Sequence, residues 1–165
     1  MSRAIKYRAW QKAASLHRVP GMYLVESIEF YDDNGGGEAF LTRQGEGAAK
    51  SSEYLDDIHL MQYTGFRDKN NVEIYEGDIV TVGHEPYTSE DDNGNEITAY
   101  ESTHRSRIWW DEDSGAFLVA GGDHGFFGGE FDTTAIGWAI YDGEYELEVI
   151  GNIHENPDLL RGGDA

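Results

Sequence analysis

The sequence predicts an all-β fold with only minor helical turns, arranged as a small barrel or sandwich. Three observations point there. Short segments rich in β-branched and aromatic residues recur along the chain, separated by turn signals. Glycine is abundant at 21 of 165 residues and proline scarce at 3, the composition of short strands joined by tight turns. Tyr, Phe and Trp make up 13% of the chain, and aromatic side chains favour a pleated, half-buried surface. Hydrophobic residues at 39% are enough to build a core, so global disorder is not expected. The length fits one domain over residues 1–165.

The elements follow in order. Ile5 to Trp10 alternates with period two and reads as a first strand. Gln11 to His17 can form one helical turn before Pro20-Gly21 stops it. Met22 to Tyr31 is a second strand, and Asp32-Asp33-Asn34-Gly35-Gly36-Gly37 is a tight turn. Glu38 to Arg43 returns as a third strand, and Gln44 to Ser52 reads as a Gly/Ala/Ser linker. Leu55 to Tyr63 is apolar with interspersed acids, Thr64-Gly65 is expected to turn the chain, and Asp68-Lys69-Asn70-Asn71 is a second turn before Glu73 to Tyr75. Glu76-Gly77-Asp78 leads into the apolar run Ile79 to Val82. Gly allows the sharp approach there, and Asp78 reads as a turn cap bonding local amides.

Residues 83–104 are polar and acidic and read as an insertion, either a long hairpin tip or a mobile loop. Arg105 to Trp110 and Ala116 to Ala120 form an expected hairpin around Asp111-Glu112-Asp113-Ser114-Gly115. A second insertion, 120–134, carries the Gly-rich stretch 121–129. Ala135 to Tyr141 is expected to be a strand, Asp142-Gly143 a turn, and Tyr145 to Ile153 the last strand. Asn156 to Leu160 starts a helical turn with Pro157 near its first position, and the tail 161–165 is expected to fray.

Charge limits the partners. The chain holds 12 Lys and Arg against 32 Asp and Glu, a formal net of −20. Residues 1–50 carry seven of the bases and six of the acids, so the whole excess lies after residue 50. Nucleic-acid binders gain affinity through Lys and Arg contacts to phosphates, and the acid excess opposes that. The basic residues Arg3, Lys6, Arg8, Lys12 and Arg18, and the pair Arg105 and Arg107, are too few to reverse it. There is no cysteine, which excludes disulfides, thiolate zinc sites and Cys nucleophiles. Met1 to Lys6 leads into no apolar run, so no signal peptide is expected. No stretch has the ~18 apolar residues of a membrane span.

Motifs that could carry chemistry are weak. The six His fall at 17, 59, 84, 104, 124 and 154 without local ligand spacing. His84, His104 and His124, all in expected loops, are the metal candidates; surface or turn His is the plainer reading. No cofactor is expected, with a divalent metal the one exception to keep open. Ser89 to Glu96 resembles a calcium loop around Gly94, but Ser89 and Tyr100 occupy the positions where a carboxylate and a bidentate Glu belong. The 121–129 glycines lack the Lys-Ser/Thr ending of a phosphate cradle. Phe126 and Phe127 within them are either exposed anchors or core residues. With 32 acids, any chosen carboxylate pair is weak evidence for hydrolysis, and no Gly-x-Ser-x-Gly elbow is present. The chain reads as a non-enzyme.

Two segments carry a family resemblance. Leu60-Met61-Gln62-Tyr63-Thr64-Gly65-Phe66-Arg67-Asp68-Lys69-Asn70-Asn71-Val72-Glu73-Ile74-Tyr75-Glu76-Gly77-Asp78-Ile79-Val80 resembles the central signature of the YopX family. Glu148-Val149-Ile150-Gly151-Asn152-Ile153-His154-Glu155-Asn156-Pro157-Asp158-Leu159-Leu160 is similar to its closing motif, and Ile5 to Trp10 to its first strand. The Gly-rich linker at 44–52 and the loops at 83–104 and 120–134 depart from the pattern. The resemblance implies a phage- or prophage-encoded protein with an SH3-like small β-barrel, extended hairpins and loop insertions. It brings no catalytic residues. Gly65, Gly77, Asp78, Gly151, Asn152 and Pro157 all have turn-making explanations.

Charge and resemblance together lead to a functional expectation. The chain reads as an acidic phage accessory protein, cytoplasmic in an infected or lysogenic bacterial host. It would bind a basic host protein such as a nucleic-acid-processing defence nuclease and occupy its basic groove, as an anti-CRISPR or anti-restriction inhibitor that mimics DNA. The expected contacts are Glu90, Asp91, Asp92, Glu96, Asp111, Glu112 and Asp113 on hairpin tips, with Phe126 and Phe127 as apolar anchors. Direct nucleic-acid or membrane binding is not expected, and a homo-oligomer is compatible with the sequence. The alternatives are a structural or regulatory interaction module without inhibitory role, acids that serve solubility alone, and a metal-binding β protein with weak hydrolase activity.

Overall fold

The computed structural model describes residues 5–11, 20–31, 36–43, 50–84, 87–90, 94, 96–99, 102–120, 133–141 and 145–161. The chain divides into two compact units, Met1–Gly65 and Phe66–Ala165.

In the first unit, β1 (Tyr7–Gln11), β2 (Gly21–Phe30), β3 (Gly37–Arg43), β4 (Lys50–Tyr54) and β5 (Ile58–Arg67) form an antiparallel sheet in the order β4-β3-β2-β1-β5. Strand β5 runs on past the unit boundary. One face is the core: Ala9, Tyr23, Ala39, Leu41 and Ile58 are buried, with Val25, Ile28, Leu55 and Leu60 packed against them. The spacing of those residues along β2 explains a bulge. Tyr23 and Val25 are two apart, but Ile28 lies three further on, so strict alternation would turn it to solvent. The register skips one residue between Val25 and Ser27. Glu26 is the extra residue, and Ile28 returns to the core.

The second unit contains β6 (Glu73–Tyr75), β7 (Asp78–His84), β8 (Tyr87–Glu90), β9 (Glu96–Ala99), β10 (Ser102–Arg107), β11 (Trp109–Asp111), β12 (Ala116–Ala120), β13 (Thr133–Ala135), the helix α1 (Ile136–Tyr141) and β14 (Tyr145–Asn152). Strand β7 lies between β10 and β14. A strand flanked on both edges and covered on both faces needs a continuous apolar run, and Ile79, Val80 and Val82 are all buried. Val80 and Val82 join Ile74, Ile108, Phe117, Val119, Ile136 and Leu147 in one core. The entrance to β7 is fixed by backbone. Gly77 has φ 76°, a conformation that costs a side-chain-bearing residue ~1–2 kcal/mol. Its N–H donates to Ile108 O and its carbonyl accepts from Ile153, both at 2.9 Å.

Strands β7, β8, β9 and β10 make one long hairpin. Ile79 faces Arg107, His84 faces Ser102, Tyr87 faces Ala99 and Glu90 faces Glu96, so the register is constant from base to tip. The described residues of 83–104 in β7 to β10 follow this register.

Five expectations need correction. Residues 50–52 of the expected linker belong to the edge strand β4. Its side chains are polar and it pairs with β3 through backbone, which leaves no hydrophobic alternation to read. Thr64-Gly65 does not turn the chain; Gly65 takes φ 95° within β5. The strand expected over 105–110 is split at Ile108. This residue is 1% exposed, and its N–H donates to Asp78 O at 2.8 Å, so β10 and β11 pair in different sheets. Residues 136–141 are helix, because Ile136 and Ile140 both reach the core at the i, i+4 spacing of one helical face. Finally, the described strands form antiparallel sheets of six, three, three and two strands and not a closed barrel; the switch at Ile108 sends the chain from one sheet into another. Among the described residues no helix is long and apolar enough to cross a membrane.

Candidate protein-interaction surface

The β11–β12 hairpin carries three of the sequence-predicted contact residues, and the structure separates their roles. Asp111 closes the turn. Its Oδ2 accepts the Ser114 N–H at 2.8 Å, and its carbonyl accepts Gly115 N–H at 2.9 Å. Hydrogen bonds from the Ser114 side chain and backbone hold its carboxyl below the usual range, against a smaller opposing effect of burial. Asp111 is thus committed to the turn. Glu112 and Asp113 are exposed and make no ion pair with any described residue.

Aromatic side chains lie directly behind this acidic tip. Trp110 pairs with Phe117 across the hairpin, and their rings meet edge to face with centroids 5.0 Å apart. Phe117 is buried in the core, while Trp110 remains 42% exposed. The Arg107 guanidinium lies 5.9 Å from the Trp109 ring. A rigidly backed, half-exposed Trp beside two solvated carboxylates has the composition of a protein-binding hot spot. Sequence reasoning missed Trp110. It was assigned to a strand without a face, and the break at Ile108 that sets its face is not visible in the sequence.

The second predicted acidic tip lies on the long hairpin. Glu90 and Glu96 form its last described pair, and exposed Gly94, at φ 78°, lies between them. Asp91 and Asp92 fall outside the described residues, as do Phe126, Phe127 and His124. The two-stranded β8–β9 sheet has no third strand among the described residues, and such a ribbon is marginally stable alone.

Of the metal candidates, His84 and His104 fall among the described residues. His84 lies at the end of β7, opposite Ser102 and Tyr145. His104 is in β10 and not in a loop. Its Nε2 is 2.7 Å from Ala120 O, while Ser106 Oγ accepts the Ala120 N–H at 3.0 Å. Two side chains on one face of β10 thus hold both backbone groups of Ala120 and fasten the end of β12. Among the described residues no group of three or more His, Asp or Glu could hold a metal ion.

Asp68, Asp78 and Asn152 of the central and closing motifs are bound to nearby backbone amides. Asp68 is 7% exposed. Its Oδ1 accepts from Asn70 and Val72 N–H, and its Oδ2 from Val149 N–H, at 2.8, 2.8 and 2.9 Å. Asp78, 1% exposed, accepts Tyr75 N–H at 2.7 Å, as expected of a turn cap. Asn152 accepts from the amides of His154 and Glu155 and donates to the Glu155 carboxylate.

Comparison with known proteins agrees with this fold. The family model described as YopX protein matches residues 6–161. The crystal structure of protein yopX from Bacillus subtilis superposes with a TM-score of 0.55 at 19% identity, covering 94% of this chain and 97% of that one. Protein EF1440 from Enterococcus faecalis is 26% identical over 96% of this chain and 99% of its own, with a TM-score of 0.49. A search of the curated proteins finds no match. With a family model spanning nearly its whole length, the chain belongs to the YopX family.

Proposed function

We propose that the protein is a phage-encoded acidic accessory protein that binds a basic host protein in the bacterial cytoplasm and blocks its nucleic-acid groove. The observation that carries this reading is the β11–β12 tip, where solvated Glu112 and Asp113 stand beside the half-exposed, core-backed Trp110. Carboxylates would steer the encounter and Trp110 would supply the buried anchor. The acid excess after residue 50 supports a basic partner, and Glu90 and Glu96 place further acids at the last described pair of the long hairpin. An RNA-guided or restriction nuclease fits this chemistry, because its channels are positively charged to hold nucleic acid.

The test is cleavage by such nucleases with the protein titrated in. Inhibition should weaken as salt rises, since exposed charges are screened over about 8–10 Å near physiological ionic strength. Glu112→Gln with Asp113→Asn should slow association, and Trp110→Ala should speed dissociation. Inhibition indifferent to salt and to both variants would refute charge-driven occlusion. A structural or regulatory interaction module without inhibitory role is the second reading; it keeps the same tip and predicts binding without effect on cleavage.

A further inference from the structure

We propose a separate docking surface on the first unit: the outer face of the β2–β3–β4 meander receives an extended, Arg- or Lys-bearing segment of a partner protein. Strand register builds this face. Glu29 is opposite Glu38, and Glu38 is opposite Tyr54. Cross-strand partners share a face, so both carboxylates and the Tyr54 ring line one row. Tyr31, two residues beyond Glu29, shares that side, and Phe40 opposite Ser52 forms the next row inward. Tyr31 is 46% and Tyr54 56% exposed.

The charges are left open at one end of this face and closed at the other. The bulged residue Glu26 accepts from Thr42 Oγ1 at 2.6 Å and from Lys50 Nζ at 2.7 Å. The Lys50 and Thr42 bonds hold its carboxyl below the usual range. Glu29 and Glu38 have no cation partner among the described residues. Glu38 accepts the Tyr31 hydroxyl, a bond that pushes the Tyr31 phenol up. Like charges directly opposite on a sheet are destabilising, so a cation placed between them is favoured. This local acidity is not the general acid excess of the chain, because residues 1–50 are close to charge balance.

The occupant follows from three complementarities. Two open carboxylates select a cationic side chain and repel phosphate. The exposed Tyr rings offer faces for an ammonium or guanidinium and for its methylene stem. Strand β4 is the terminal strand of the described sheet, and such an edge can add an extended segment. A residue of such a strand that falls opposite Tyr54 extends the cross-strand row of Tyr54, Glu38 and Glu29 by about 4.8 Å, and a long cationic side chain there can lie over the Tyr54 ring toward Glu38.

The experiment uses the full chain and a fluorescein-labelled hexapeptide of alternating Thr and Arg, followed by anisotropy at physiological ionic strength. Glu29→Gln with Glu38→Gln should weaken binding about tenfold, and Tyr54→Ser about fivefold or more, through lost charge pairing and cation–π contact. Glu146→Gln with Asp158→Asn, two exposed acids of the second unit, makes the same change in net charge and should alter binding by about twofold or less if attraction is local. Equal weakening by the two double variants would overturn the proposal, since it would show diffuse attraction. Absence of peptide binding to the wild type would also overturn it. So would a dimer in sedimentation that Tyr54→Ser dissolves, which would assign the face to a second copy. The proposal does not depend on the nuclease reading, and its failure would leave the β11–β12 tip untouched.

Discussion

Replacing Asp68 tests a long-range polar contact in the second unit. Its carboxylate accepts three backbone amides, two from its own turn and one from Val149, 81 residues away. Lys69 N–H donates to Leu147 O in the same seam, and Asn71 takes φ 66° to close the turn. In Asp68→Asn, an amide oxygen kept on Asn70 and Val72 leaves the new NH2 facing the Val149 N–H, donor against donor. The flipped amide satisfies Val149 and abandons the other two. Either way a largely buried N–H loses its acceptor, at a cost of about 1–3 kcal/mol. Asp68→Ala removes both acceptor oxygens, leaves three amides without their partner and should cost about 3–5 kcal/mol, near the upper end for a single substitution. Urea unfolding followed by Trp fluorescence reads both, with amide exchange at Val149 as the local probe. The reasoning fails if Asp68→Ala costs less than about 1 kcal/mol, the scale of an ordinary hydrogen bond. It also fails if Asp68→Asn matches wild type, because the count of acceptors would then not matter.

Three further outcomes are expected. A Cβ at Gly151 would lie 2.5 Å from Asn156 Oδ1 and 3.0 Å from its Cβ, so Gly151→Ala must displace Asn156 from the Asn152 amide and should lower stability by about 1–3 kcal/mol in a denaturant melt. Ser106→Ala leaves the Ala120 N–H without its side-chain acceptor; a cost of about 1–2 kcal/mol and faster exchange of that amide are expected. Ser114→Ala removes the main bond that lowers the Asp111 pKa, so the carboxyl should titrate closer to 3.8 in a carbon-detected NMR titration. A depressed carboxylate pKa contributes stability above its unfolded value that is lost as pH falls through the folded one; the turn contribution in wild type is therefore lost below pH 3.8 and should be smaller in the variant.

Local chemistry was legible in the sequence and long-range pairing was not. Asp78 before an apolar run is a turn cap by its position alone, and the structure puts its Oδ2 on Tyr75 N–H. The all-β antiparallel character follows from the many short alternating segments. Strand β4 was hidden because Lys50, Ser51, Ser52 and Glu53 pair through backbone and offer no periodic apolar signal. Helix α1 was hidden because six residues, Ile136 to Tyr141, are too few to separate a period of 3.6 from one of two. The opposition of Glu29 and Glu38 depends on a bulge at Glu26, and a one-residue slip reverses every side chain beyond it.

Two groups of acids among the described residues have different physical meaning. Asp68, Asp78 and Asp111 are engaged by backbone amides within the fold. Removing any of them should act on the structure itself, whatever partner is present. Glu112 and Asp113 at the β11–β12 tip, and Glu29 and Glu38 on the outer sheet face, form no ion pair with a described residue. Neutralising these should leave stability near wild type, since isolated surface charges contribute little, and should act on association. The same change of charge therefore has opposite readouts in the two groups. A variant set that neutralises one pair from each group separates acids that maintain the fold from acids that meet a partner. It does so before the partner is identified, because both stability and peptide affinity can be measured on the isolated chain.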